Sequence, residues 1–148
     1  MFRGSSFHTI DAKGRIIVPT RFRELLGVPE NEGCMLTQMD NCVFGYAFEQ
    51  WSIVEQRILS LAEKSDSMRR FRRIFVGSAQ VCFCDKQGRL LVPPFLRQYA
   101  GLEKEIILLG VLDHFEIWSK ENWERETKTL ELNLGKEEVR NEIAKLGL

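Results

Sequence analysis

At 148 residues, 44% hydrophobic and 28% charged, the chain has the size and make-up of one globular domain, or of two small units sharing a core, which sets aside disordered and fibrous classes. No apolar run reaches the roughly 18–20 residues of a membrane span, and Met1-Phe2-Arg3-Gly4 does not open an apolar leader, so neither a membrane protein nor a secreted one is expected. Lys plus Arg and Asp plus Glu balance at 21 each, excluding a uniformly basic nucleic-acid binder; a basic face remains open to it, because Arg3, Lys13, Arg15, Arg21 and Arg23 cluster early while glutamate crowds the last third.

In chain order, Ser6–Asp11 alternates as a strand does, and Asp11-Ala-Lys-Gly-Arg15 reads as a turn in which the carboxylate bonds the backbone and Gly14 takes positive φ. Arg15–Val18 is the return strand, ended by Pro19. Thr20–Leu26 predicts a short helix with Thr20 as its cap and Gly27 at its stop. Cys34–Met39 and Cys42–Ala47 predict a hairpin across Asp40-Asn41. Glu49–Glu63 places Trp51, Val54, Ile58 and Leu61 at helical spacing. Ser65-Asp66-Ser67 marks a fresh cap, after which Met68, Phe71, Ile74 and Phe75 face inward and Arg69, Arg70, Arg72 and Arg73 outward.

The pattern then returns. Asp85-Lys-Gln-Gly-Arg89-Leu-Leu-Val-Pro93 repeats the first turn and strand at an offset of 74. Gln80–Asp85 and Arg89–Val92 are its strands, Pro94–Ala100 its helix with Pro94 in the first turn, and Gly101 its stop. Ile106–Leu112 and Phe115–Trp118 pair across Asp113-His114, Lys120–Leu130 repeats the long helix, and Lys136–Leu148 is an amphipathic tail through Val139, Ile143 and Leu146. Two copies are too few for a solenoid and imply a pseudo-two-fold α+β unit: a first repeat over 5–51, a helical connector over 52–77, a second repeat over 78–123 and a helical tail over 124–148.

No enzyme signature is present: there is no P-loop, G-x-G-x-x-G, H-E-x-x-H or G-x-S-x-G. Asp11 and Asp85 each have an arginine four residues on, which favours the ionised carboxylate and makes a poor general acid. Cys82-Phe83-Cys84 is a C-x-C, and His8 and His114 lack ligand spacing, so Cys34, Cys42, Cys82 and Cys84 are expected as reduced, mostly buried thiols, with no metal and no cofactor. Neither histidine has a sequence partner that would suggest a pH role. Trp51, Trp118 and Trp123 read as core or interface. The arginines at 69–73 suit solvent or pairing with glutamates near 121–142 of another subunit better than direct DNA contact. The doubled D-x-x-x-R admits two readings, a hairpin-fixing device and a row of guanidinium groups for phosphates or guanine edges.

The sequence resembles the MraZ family of bacterial transcriptional regulators. The likeness rests on Met1-Phe2-Arg3-Gly4, both D-x-x-x-R turns, Val18-Pro19-Thr20-Arg21-Phe22-Arg23, the segment from Arg69 to Gly77, and Leu96-Arg97-Gln98-Tyr99-Ala100-Gly101-Leu102, and it spans about residues 1–130. The resemblance implies a swapped-hairpin barrel, AbrB- and SpoVT-like in each half, completed within one chain by the two tandem repeats and flanked by helices. It implies a homo-oligomeric ring, typically of eight, in the cytoplasm and nucleoid. It further implies binding to double-stranded DNA at short direct repeats of the promoter of its own operon, the division and cell-wall gene cluster, usually as a repressor. Carried onto this chain, Arg15 and then Arg89 are the leading DNA contacts, with Lys13, Lys86 and Arg3 beside them. Asp11, Asp85, Gly14 and Gly88 orient the turns. Gln87 stands where Lys13 would repeat, so the halves are not strictly equivalent. The rival reading is a ring scaffold whose arginines hold an acidic protein partner.

Overall fold

A computed structural model describes residues 1–28, 31–61 and 65–148. In it the first repeat supplies strands β1 (Ser5–Thr9), β2 (Arg15–Ile17), β3 (Gly33–Met39) and β4 (Cys42–Tyr46), with helices α1 (Thr20–Arg23), α2 (Phe48–Ser60) and α3 (Asp66–Gly77). The second supplies β5 (Gln80–Phe83), β6 (Arg89–Leu91), β7 (Glu105–Gly110) and β8 (Phe115–Ser119), with α4 (Pro94–Ala100), α5 (Lys120–Asn133) and α6 (Glu137–Ala144).

The repeats exchange strands. β1 lies antiparallel to β7 of the other half, and β5 lies antiparallel to β3. The two long hairpins join through β4 and β8, giving a six-stranded sheet in the order β1-β7-β8-β4-β3-β5. The return strands β2 and β6 pair only with each other, as a separate two-stranded ribbon. The closed barrel expected from the resemblance is therefore not seen as a closed sheet. The reason is local: after the turn each return strand meets its own first strand at little more than the turn itself, Asp11 N donating to Arg15 O at 3.0 Å and Asp85 N to Arg89 O at 2.8 Å. Pro19 and Pro93 then end the ribbon, since proline has no N–H for a ladder.

Side-chain alternation sets the core. Ile16 and Leu90 point inward from the ribbon to meet Leu36, Val43, Ile106, Leu108 and Ile117 from the sheet. Phe22 and Leu96, from the helices after each ribbon strand, fill the same interior. On the other face of the sheet, Tyr46, Trp51, Ile58 and Phe75 form a second cluster beneath α2 and α3. Trp118 packs with Cys42, Ile107 and Leu109, with Trp123 against them. The four cysteines are free, and burial pushes the thiols of Cys82 and Cys84 up to about 11, away from easy ionisation.

Several boundaries differ from the sequence expectation. Thr20 is the first helical residue rather than the cap, because Pro19 takes the capping position. α1 stops at Arg23 and tightens into three-residue turns, Leu25 N to Phe22 O and Leu26 N to Arg23 O, instead of running to Leu26. Ser65 does cap α3, its side chain accepting from Met68 N. Of the four residues expected inside α3, only Phe71 and Phe75 pack inward, stacked at 5.0 Å, whereas Met68 and Ile74 are exposed. The helix expected over 49–63 ends at Ser60, with Leu61 extended and exposed instead of on its inner face; Glu63 itself lies outside the described residues. The second hairpin turns at Leu112 and Asp113, with Leu112 at φ 65° and Val111 N bonded to His114 O, one residue earlier than expected. The tail helix ends at Ala144, which leaves Leu146 exposed.

His114 has the partners its sequence context concealed. Its ring stacks on Phe44 at 4.4 Å, Nδ1 meets Asp113 at 2.8 Å, and Nε2 meets Glu116 at 2.7 Å. Glu116 also accepts from Trp118 Nε1 at 2.9 Å. Burial alone would lower the imidazole pKa, but hydrogen bonds and charge from Glu116 and Asp113 outweigh it, so the group is raised above its usual 6.5. A raised folded pKa contributes stability that is full below the unfolded value and is lost as pH rises through the folded one. In urea titrations from pH 5.5 to 8.5, the wild-type midpoint should therefore fall relative to that of His114→Gln as pH rises above about 6.5. Parallel pH profiles would show that the carboxylates do not hold the proton.

Candidate nucleic-acid interface

The two D-x-x-x-R turns are built alike, bond for bond. Asp11 Oδ1 accepts from Lys13 N and Arg15 N, both at 2.9 Å, and its Oδ2 accepts from Arg15 Nε at 2.7 Å. Asp85 Oδ1 accepts from Gln87 N and Arg89 N at 2.9 Å, and Oδ2 from Arg89 Nε at 2.8 Å. Gly14 and Gly88 close the turns at φ 87° and 74°, where a Cβ would be strained. The backbone amide of the arginine and then its guanidinium hold each carboxyl below the usual range, so both aspartates are ionised at neutral pH. The carboxylate thus orients an arginine and does not act as an acid. Each arginine is gripped through Nε, so the grip fixes the plane of the guanidinium without depending on its two Nη groups.

The ribbon brings the turns together. Arg15 lies opposite Leu91 and Ile17 opposite Arg89, with the inward pair Ile16 and Leu90 between them. Val18 N donates to Gly88 O at 3.0 Å and Val92 N to Gly14 O at 2.9 Å, so each strand's end is tied to the other half's turn. Two further arginines, Arg23 of the early basic cluster and Arg97, reinforce this junction. Arg97 lies over Gly14, its Cζ 2.3 Å from where a Cβ would stand, and its Nε donates to Val92 O at 3.0 Å. Arg23 lies over Gly88 in the same way, at 2.8 Å, with Thr20 Oγ1 and Glu32 beside it. Gly14 and Gly88 are buried under these side chains, so they serve close approach as well as turn geometry. The signal was available: Arg23 and Arg97 each stand eight residues after a motif arginine.

Lys13 and Lys86 are exposed on the same turns. Arg3 is not brought to them. It precedes β1, whose far end leads into Asp11, and the five residues of that strand alone span about 16 Å. Its segment lies instead along Gly110–Leu112, with Phe2 bridged to Leu112. Arg69 pairs with Asp66 on α3, a helix that packs on β3, away from the ribbon. Among the described residues no cluster of His, Cys, Asp and Glu could hold a metal ion, and no helix is long and apolar enough to cross a membrane.

These features define a class: an α+β protein of two tandem repeats that swap hairpins and present paired, carboxylate-gripped arginine turns on one ribbon. A model of the MraZ protein family matches this chain twice, over residues 1–74 and 75–142. The chain belongs to the MraZ family. It is 57% identical to Transcriptional regulator MraZ of Desulforapulum autotrophicum and 50% identical to that of Desulfosudis oleivorans, each over 148 residues and the full length of both proteins. It is 41% identical to the protein of the same name from Caldicellulosiruptor saccharolyticus, again over the whole of both chains. A transcriptional regulator is not an enzyme class, and the family therefore agrees with the lack of catalytic motifs in the sequence.

Proposed function

We propose that this chain is a sequence-specific DNA-binding transcriptional regulator that represses its own operon, the division and cell-wall gene cluster, from the cytoplasm and nucleoid. The observation that carries the reading is the pair of matched turns on one ribbon, each with an arginine oriented by an ionised aspartate. Arg15 and Arg89 are the leading contacts, flanked by Lys13 and Lys86, while Arg97 and Arg23 brace the turns by covering Gly14 and Gly88. Arg3 stands apart from this surface and is at most a flanking phosphate contact. The strand exchange and ribbon support the swapped-hairpin barrel, with repeats over 5–51 and 78–123, a connector over 52–77 and a tail over 124–148.

A neutral subunit neutralises few phosphates, and affinity for DNA tracks that number. Subunits joined in a homo-oligomeric ring, eight in the family's usual form, gain affinity through effective concentration on promoter direct repeats. Fluorescence anisotropy on DNA from just upstream of the chain's own coding sequence tests this. Binding should be far tighter to the tandem boxes than to one box, and should fall steeply and log-linearly with salt. Equal affinity for one box and for the array would overturn the multivalent reading. Binding of acidic peptides but of no DNA by the assembled protein would favour the scaffold.

A further inference from the structure

The outward face of the ribbon carries four side chains: Arg15 and Leu91 in one cross-strand pair, Ile17 and Arg89 in the next. Ile17 is 59% exposed and Leu91 51%. Scattered apolar residues on a surface need no explanation, but these two are not scattered. They occupy equivalent positions in the two repeats, two residues after each motif arginine, and each lies directly opposite the arginine of the other half. The arginines therefore sit on one diagonal of a small array and the aliphatic residues on the other, with diagonal neighbours about 7–8 Å apart. Ile16 and Leu90 between them are in the core, so this alternation fixes which side chains look outward.

Contacts to phosphate alone have no use for two aliphatic side chains. Base edges do: in the major groove, wide enough for a two-stranded ribbon, an arginine can pair with guanine O6 and N7, and an apolar side chain can meet the methyl group of thymine. The charge around the array fits the same partner, since Lys13, Arg15, Lys86 and Arg89 outnumber Asp11 and Asp85. Resting on the DNA-binding reading above, we infer that Ile17 and Leu91 are specificity-determining residues that read thymine methyl groups in the major groove beside the groups contacted by Arg89 and Arg15. Cross-strand spacing of about 5 Å places each such thymine within one or two base-pair steps of the base met by its neighbouring arginine.

The test uses the intact oligomer and two promoter duplexes that differ only in carrying thymine or deoxyuridine within the boxes, a change that removes the methyl groups and keeps every hydrogen-bonding edge. Wild type should bind the deoxyuridine duplex more weakly, by about four-fold for each methyl group that Ile17 or Leu91 would otherwise cover. The double variant Ile17→Ser, Leu91→Ser should bind thymine DNA more weakly than wild type and should not distinguish the two duplexes. A wild type indifferent to the methyl groups, with binding still dependent on Arg15, would overturn the inference and leave the DNA-binding reading intact. An equal methyl effect in wild type and variant would also overturn it, assigning the effect to DNA shape. A double variant that changes the assembly's size by light scattering would assign Ile17 and Leu91 to a subunit interface instead. No binding of either duplex by wild type would overturn both readings.

Discussion

Phe115→Ala should lower the unfolding free energy by about 3–5 kcal/mol, the usual cost of deleting a buried aromatic ring and leaving a cavity. Phe115 is wholly inaccessible to solvent, and its ring lies 5.3 Å from that of Phe2 and 6.0 Å from that of Phe22. The tip of its ring also lies against its register partner Gly45, where a Cβ would come within 2.2 Å of Phe115 Cζ. The ring therefore has no side chain beneath it that could move up to fill the space. The site is the seam of the molecule: β4 and β8 join the two repeats, Phe2 and Phe22 come from the first, and Phe115 comes from the second. Urea unfolding should show the midpoint falling with little change in slope, as a change in stability alone requires. A loss below about 1 kcal/mol, well under the usual range, would mean that the interior collapses around the deletion.

The same seam marks what the sequence could and could not disclose. The repeat was visible because each half must build the same turn, and Asp, Gly and Arg are the residues that turn requires at positions 11, 14 and 15 and again at 85, 88 and 89. The strands were visible because their alternation is local. Their partners were not: nothing within Ser6–Asp11 says that it lies beside β7 rather than its own return strand, because pairing is settled by the shared core and not by either segment. The bracing role of Arg23 and Arg97 is not legible for a related reason, since each acts on the glycine of the other repeat. On α3 the apolar spacing suited Met68 and Ile74 as well as Phe71 and Phe75, but only the two rings reach the surface offered by Tyr46 and Trp51. His114 looked unpartnered because Glu116, two residues on, becomes a neighbour only when the strand puts both on one face.

Arg15→Ala should produce the largest loss of DNA binding of any single change, with Arg89→Ala second. A guanidinium that meets a guanine edge in two bonds contributes about 1–3 kcal/mol of discrimination, roughly 5- to 150-fold for each box. Because every subunit carries the change, two boxes held at once compound the loss, and binding to a tandem promoter should fall by up to the square of the single-box factor. The ranking is the one the family resemblance implies; each turn carries one lysine, Lys13 beside Arg15 and Lys86, shifted by one residue, beside Arg89. If either arginine meets a phosphate instead, affinity should fall evenly across sequences and the log–log salt slope should shrink by about 0.9 for each phosphate no longer neutralised. Anisotropy with matched and scrambled boxes at several salt concentrations separates these cases. Tight, selective binding by both variants would move the DNA face away from the ribbon, to the arginines of α3. The grip of Asp11 and Asp85 on Nε argues against that outcome, because a carboxylate that fixes a guanidinium's plane lowers the cost of ordering it against a partner.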